Sequence, residues 1–235
     1  MIVDLSHSIS AGLVTYPGLP APEIRPHLTR EESRSMYAPG TEFAMDVITM
    51  IGNTGTYLDA PYHRYADGAD LAQLSLDTLV GLPAIVVHVP ERQRRAVDVA
   101  DLPDVIARGS AVLIHTGWDR YFGRDVYGVD APFLSLAAAQ RLVDAGVALV
   151  GIDSVNIDDV SAGARGERPA HSVFLAHGVH VVEHLTALER VPPTGATFTA
   201  VPPKVEGFGT FPVRAFAVLP DSVPPVGLEP TLGRF

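Results

Sequence analysis

Ser135-Leu136-Ala137-Ala138-Ala139-Gln140-Arg141-Leu142-Val143-Asp144-Ala145-Gly146 leads directly into Ala148-Leu149-Val150-Gly151-Ile152. A serine start, a glycine stop and apolar residues at helical spacing between them read as a helix. The short Leu/Val/Ile run behind it reads as a buried strand. A helix delivered straight into a strand is the repeating unit of an α/β fold. Further apolar runs at 45–51, 84–89, 111–115, 179–183, 198–201 and 213–219 read as strands, and 101–108 reads as a shorter helix before 111–115. The expectation is one α/β domain over 1–235 with a mixed sheet flanked by helices, ending in a Pro-rich extension over 220–235.

Composition narrows what such a domain does. The 235 residues carry 17 Lys+Arg against 27 Asp+Glu, a net charge of −10, with nine His and no Cys. Without a thiol there is no disulfide framework, thiolate nucleophile or Cys-type metal centre, so any metal must be held by His, Asp and Glu. The acid surplus argues against a nucleic-acid partner, because counterion release needs clustered cations. No run approaches the roughly 18 apolar residues of a membrane helix. Met1-Ile2-Val3-Asp4 puts an acid where a signal peptide carries bases, so the expected compartment is the cytoplasm and the expected partner a small molecule. Arg92, Arg94 and Arg95 read as a solvated loop.

Polar and turn-forming residues are densest in Gly52-Asn53-Thr54-Gly55-Thr56-Tyr57-Leu58-Asp59-Ala60-Pro61-Tyr62-His63-Arg64. The segment reads as a Gly-punctuated loop after the 45–51 strand, a common setting for catalytic groups. Pro61, between Asp59 and His63, argues against a regular helix there.

This stretch resembles the signature of the cyclase-type metal-dependent hydrolases, the family of bacterial kynurenine formamidase and isatin hydrolase: His-x-Gly-Thr-His-x-Asp-x-Pro-x-His. Gly55, Thr56, Asp59, Pro61 and His63 match, while Asn53 stands at the first His and Tyr57 at the second. The similarity extends to Asp4-Leu5-Ser6-His7, Tyr16-Pro17-Gly18, Thr116-Gly117-Trp118, Gly151-Ile152-Asp153-Ser154, the pair His171 and Glu183, and the close from Gly207 to Arg214. The resemblance implies a mixed sheet or barrel-like core of the swivelling β/α kind, and a homodimer or homotetramer. It further implies a divalent metal, zinc or manganese, on the motif residues.

Two of the expected imidazoles are absent. Asn is a weaker zinc ligand than His and neutral Tyr a poor one, which leaves Asp59, His171 and Glu183 for a single ion, with His63 as proton carrier. Alternatively no metal binds, and His63 is the general base, with Asn53 and Tyr57 donating hydrogen bonds to a developing oxyanion. The implied activity is hydrolysis of a small amide, lactam or ester, arylformamidase-like; a metal-free cyclase or isomerase, or a non-catalytic binder of an aromatic ligand, remains open. Tyr62, Tyr65 and Trp118 are the expected aromatic wall, with Phe43 and Tyr121 as further candidates. The 163–168 loop before His171 carries arginines able to meet an anionic substrate. Asp153 and Asp158 read as structural, and His88 and His115 as residues of apolar strands.

Overall fold

A computed structural model describes residues 1–89 and 94–220. Along the chain run β1 (Ile2–Asp4), β2 (Glu23–Leu28), α1 (Arg30–Ser33), β3 (Met45–Thr49), β4 (Tyr57–Asp59), β5 (Leu82–His88), β6 (Ala96–Val97), β7 (Ala111–His115) and β8 (Phe133–Leu134). There follow α2 (Leu136–Ala145), β9 (Leu149–Ile152), α3 (Pro169–Ala176), β10 (His180–Glu183), β11 (Thr197–Thr199), β12 (Thr210–Pro212) and β13 (Phe216–Val218). The helix–strand pair at 135–152 forms as its residues dictate. Ser135 caps α2 by accepting from the Ala138 amide, and Gly146 closes it at φ 74°.

Nine strands form one sheet in the order β1-β13-β11-β5-β7-β9-β10-β4-β12. Its centre, β5-β7-β9-β10, is parallel, and the strands on either side are antiparallel, so the sheet is mixed as expected. Side chains alternate between two buried faces. In β7, Ala111 and Leu113 enter an inner cluster, while Val112 and Ile114 pack with Ala138, Ala139 and Leu142 of α2 and Phe174 and Leu175 of α3. Burial on both faces explains why these strands are continuous apolar runs. Val3 of β1 and Leu58 of β4, from opposite parts of the sheet, share the inner cluster, so the sheet curls into a half-barrel.

Several local expectations are corrected. Residues 101–108 form no helix: a 3-10 turn at Val99–Asp101 is followed by irregular chain, where Pro103 lacks an amide hydrogen and Val105 is 84% exposed. The 45–51 run does not join the main sheet; β3 pairs with β2 in a separate two-stranded sheet. The 213–219 run holds only β13, and the preceding β12 was unforeseen. Arg94 and Arg95 are not merely solvated: they pair with Asp101 and Asp159. Arg92 and the extension over 221–235 lie outside the described residues.

Candidate active site

The motif is a strand and a turn rather than a loop, and the register of three neighbouring strands builds the site floor. Leu58 faces the inner cluster, so its neighbours Tyr57 and Asp59 face the side covered by α3. Asp59 stands across from Val181 of β10 and Thr210 of β12, and Tyr57 from Glu183 and Pro212. Pro61 then opens the 3-10 turn Pro61–His63, which returns His63 toward the floor. Gly209 permits that approach, since a Cβ there would lie 2.4 Å from the His63 backbone nitrogen.

The helix α3 supplies His171. Asp158 accepts from the amides of Ala170 (2.6 Å) and His171 (3.0 Å) and also contacts His171 Nδ1 at 2.7 Å. One carboxylate thus fixes the helix start and the ring, leaving Nε2 aimed at Asp59 Oδ2 (3.4 Å) and Glu183 Oε1 (3.5 Å).

Proton positions around the floor follow from donor counting. Thr210 Oγ1 lies 2.5 Å from Asp59 Oδ1 and 2.7 Å from His63 Nδ1. A carboxylate can only accept, so the threonine hydroxyl donates to Asp59 and accepts from His63 Nδ1–H. Neutral His63 therefore carries its lone pair on Nε2. Tyr57 likewise donates to Glu183 Oε2 at 2.6 Å, so its oxygen accepts from His184 Nε2–H at 3.3 Å. His184 Nδ1 then accepts from the Tyr127 hydroxyl at 2.9 Å. Three donors in series thus point at Glu183, which also takes the Ile157 amide at 2.6 Å.

The ionisation of these groups separates them. Burial alone would lower the pKa of His171, but Glu183, Asp158 and Asp59 outweigh it and push the ring up to about 10. Burial raises Glu183 to about 7 against the opposing charge of His171. Asp59 is raised by burial, yet His171, His63 and Thr210 bring it below its usual range. His184, buried without an acid at hydrogen-bond distance, is pushed down to about 3. Tyr57 is pushed well up, first by burial and then by Glu183 and Asp59.

Asp59, His171 and Glu183 each offer a ligand atom, all within 4.8 Å of one another. Two N/O ligands at about 2.1 Å in tetrahedral geometry would stand roughly 3.4 Å apart, close to the separations of 3.4 and 3.5 Å around His171 Nε2. The donor set therefore fits one divalent cation, with Asp158 holding the histidine from behind.

A cavity of about 130 Å³ opens onto this floor, lined by Asn53, Tyr57, His63, Arg64, Asn156, Arg168, His171 and Glu183. Asn53, Tyr57, His63, Asp59, His171 and Glu183 are thus brought together. The expected aromatic wall is not: Tyr62, Tyr65 and Trp118 do not line this cavity. Tyr62 is surface-exposed, Tyr65 donates to the Ser172 carbonyl over α3, and Trp118 donates its indole N–H to the Tyr127 carbonyl inside a separate aromatic cluster. Asp153 receives Thr116 and Gly117 amides and shapes that turn, and His88 meets His115 through their Nδ1 atoms at 2.8 Å. Arg64, Asn156 and the positioning roles of Asp158, Thr210 and His184 went unrecognised in the sequence. The adjacency of Arg64 to His63 was the one available signal.

The chain belongs to the Cyclase family, described as "Putative cyclase", whose model matches residues 3–159. It is 30% identical over 220 residues to a kynurenine formamidase of Delftia acidovorans (strain DSM 14801 / SPH-1), covering 90% of this chain and 94% of the relative. Isatin hydrolase A from Labrenzia aggregata bound to benzyl benzoate superposes with a TM-score of 0.78 at 22% identity, over 93% of each chain, a likeness of fold. A potential metal-dependent hydrolase with cyclase activity matches with a TM-score of 0.72 at 25% identity, over 92% of this chain and 96% of that one.

Proposed function

We propose that the protein hydrolyses a small amide of the arylformamide type, in keeping with the kynurenine formamidase it resembles. The observation that carries this reading is a three-donor cluster, Asp59, His171 and Glu183, of which His171 and Glu183 line one cavity together with His63, an imidazole oriented by Asp59 through Thr210. A divalent ion on those three residues, zinc or manganese as the family resemblance implies, would supply Lewis acidity toward the carbonyl.

The protein's own groups do the rest. His63 Nε2 takes a proton from the attacking water as its oxygen bonds to the carbonyl carbon, and returns it to the departing nitrogen as the C–N bond breaks. Thr210 and Asp59 hold that ring and steady its positive charge. Asn53 lines the cavity as a hydrogen-bond donor for the developing oxyanion, a role worth roughly 3 to 4 kcal/mol; Tyr57, expected from the sequence to share that role, gives its one hydroxyl hydrogen to Glu183 instead. Purified protein should release formate from N-formylkynurenine, and His63→Ala should abolish most of that rate; equal rates in both would overturn the reading. A metal-free ring closure or isomerisation using the same His63 base is favoured by Tyr57 occupying a ligand position, and product analysis separates it from hydrolysis.

A homodimer or homotetramer belongs to the same reading. The two-stranded β2–β3 arm exposes Ile24 (44%), Met45 (47%) and Ile48 (48%), more apolar surface than an isolated hairpin tolerates. A cytoplasmic site of action rests on the sequence. Among the described residues no helix is long and apolar enough to cross a membrane.

A further inference from the structure

Two arginines that the proposed chemistry does not use stand at the mouth of the cavity. Arg64 follows His63 on the turn after β4, and Arg168 immediately precedes α3. Both line the inner cavity of about 130 Å³, and both also line an open depression of about 490 Å³ outside it, together with Gly166, Glu167, Pro169 and Ser172. The shared pair joins the two spaces into one funnel.

Neither guanidinium is neutralised. Arg64 Nε donates to Ser172 Oγ at 3.3 Å and its head lies 5.7 Å from the Tyr65 ring centroid. Arg168 donates to the carbonyls of Asp159 (3.2 Å) and Glu167 (2.7 Å). Among the described residues no carboxylate pairs with either, whereas Arg34, Arg94, Arg95 and Arg214 each have an acid partner. Glu167 is the acid on this rim; its side chain pairs with neither arginine. What sets Arg64 and Arg168 apart is that both line the same two spaces, so two guanidiniums without a carboxylate partner share one cavity mouth, a setting that suits an anion.

We propose that Arg64 and Arg168 form an anion subsite that binds a carboxylate carried by the substrate at the end remote from its scissile carbonyl. The planar guanidinium forks suit a carboxylate, which accepts two parallel hydrogen bonds. The floor offers no such fork: its acids Asp59 and Glu183 are buried on either side of the His171 ring. A carboxylate held at the mouth leaves the carbonyl end of the substrate to reach the floor. The inference deepens the hydrolase reading, on which it rests for the identity of the reacting bond, while the binding itself stands on the funnel's charge.

The test compares 4-formamidobenzoate with its neutral methyl ester. The ratio of their kcat/KM values should favour the anion in the unaltered protein and fall about tenfold in Arg64→Gln and in Arg168→Gln, and further in the double variant, through KM. Arg168→Lys, which keeps the charge, should recover part of the ratio, as a folding defect would not. A ratio near one in the unaltered protein, or one unmoved in the double variant, overturns the proposal. Calorimetric binding of benzoate and benzamide separates the two claims. Failure to cleave either formamide contradicts the hydrolase reading, and benzoate binding then decides the subsite: tighter than benzamide and weakened in the double variant supports it, equal binding of the two overturns it.

Discussion

The two sides of Glu183 make the instructive comparison. On one side His171, surrounded by Asp59, Asp158 and Glu183, is held as a cation or a ligand, with its pKa pushed up to about 10 by those acids against its burial. On the other side His184, equally buried but flanked by the hydroxyls of Tyr57 and Tyr127, is neutral, pushed down to about 3 by burial. The same side chain takes opposite roles because its partners differ in charge. The first side keeps three groups able to hold a cation, Asp59, His171 and Glu183, and the second puts a hydrogen-bond donor, Tyr57, where the resembled signature has a histidine. The replacement leaves Glu183 satisfied, with a donor standing where a ligand would be.

Breaking the cationic side should do the most damage. His171→Ala leaves Asp59, Asp158 and Glu183 buried around a hole, and urea denaturation should show a loss of about 3 to 5 kcal/mol together with loss of turnover. His63→Ala removes a partly exposed ring outside this buried cluster, so kcat should fall about 10²- to 10⁴-fold while the denaturation midpoint barely moves. On the neutral side, Tyr57→Phe withdraws one donor from Glu183 and should lower stability by about 1 to 3 kcal/mol. Tyr57→His, by restoring an imidazole, should slow the release of a bound ion to a chelator.

The smallest effect is a pH dependence in which the two histidines oppose each other. His184 has its folded pKa below the unfolded value, so its contribution is present above pH 6.5 and fades as pH falls toward 3. His171 has its folded pKa above the unfolded value, so its contribution is full below pH 6.5 and fades as pH rises toward 10. Chelator-treated protein should therefore show a stability maximum near neutrality, and His184→Asn should flatten only the acid limb.

How much of this was legible in the sequence differs between the same two sides. Asp59, His63, His171 and Glu183 were readable because their segments resemble the family signature, and α2–β9 because its caps are local signals. Tyr57 was readable as a departure, but its donation to Glu183 depends on the β4–β10 register, a long-range pairing. Thr210, Asp158 and His184 act by position alone, and their residue types occur everywhere in the chain. Tyr62 and Tyr65 miss the cavity because nearness in sequence to the motif is not nearness in space: the turn after β4 carries Tyr62 to the surface and Tyr65 onto α3, while Trp118 sits in a separate aromatic cluster.

The central claim, that the cationic side still holds one ion and the altered side none, is tested most directly by the metal content of the purified protein. One divalent ion per chain, lost in Asp59→Asn and retained in Tyr57→Phe, is the expected result. Two ions per chain, or none in protein purified and assayed with zinc and manganese present, would contradict it.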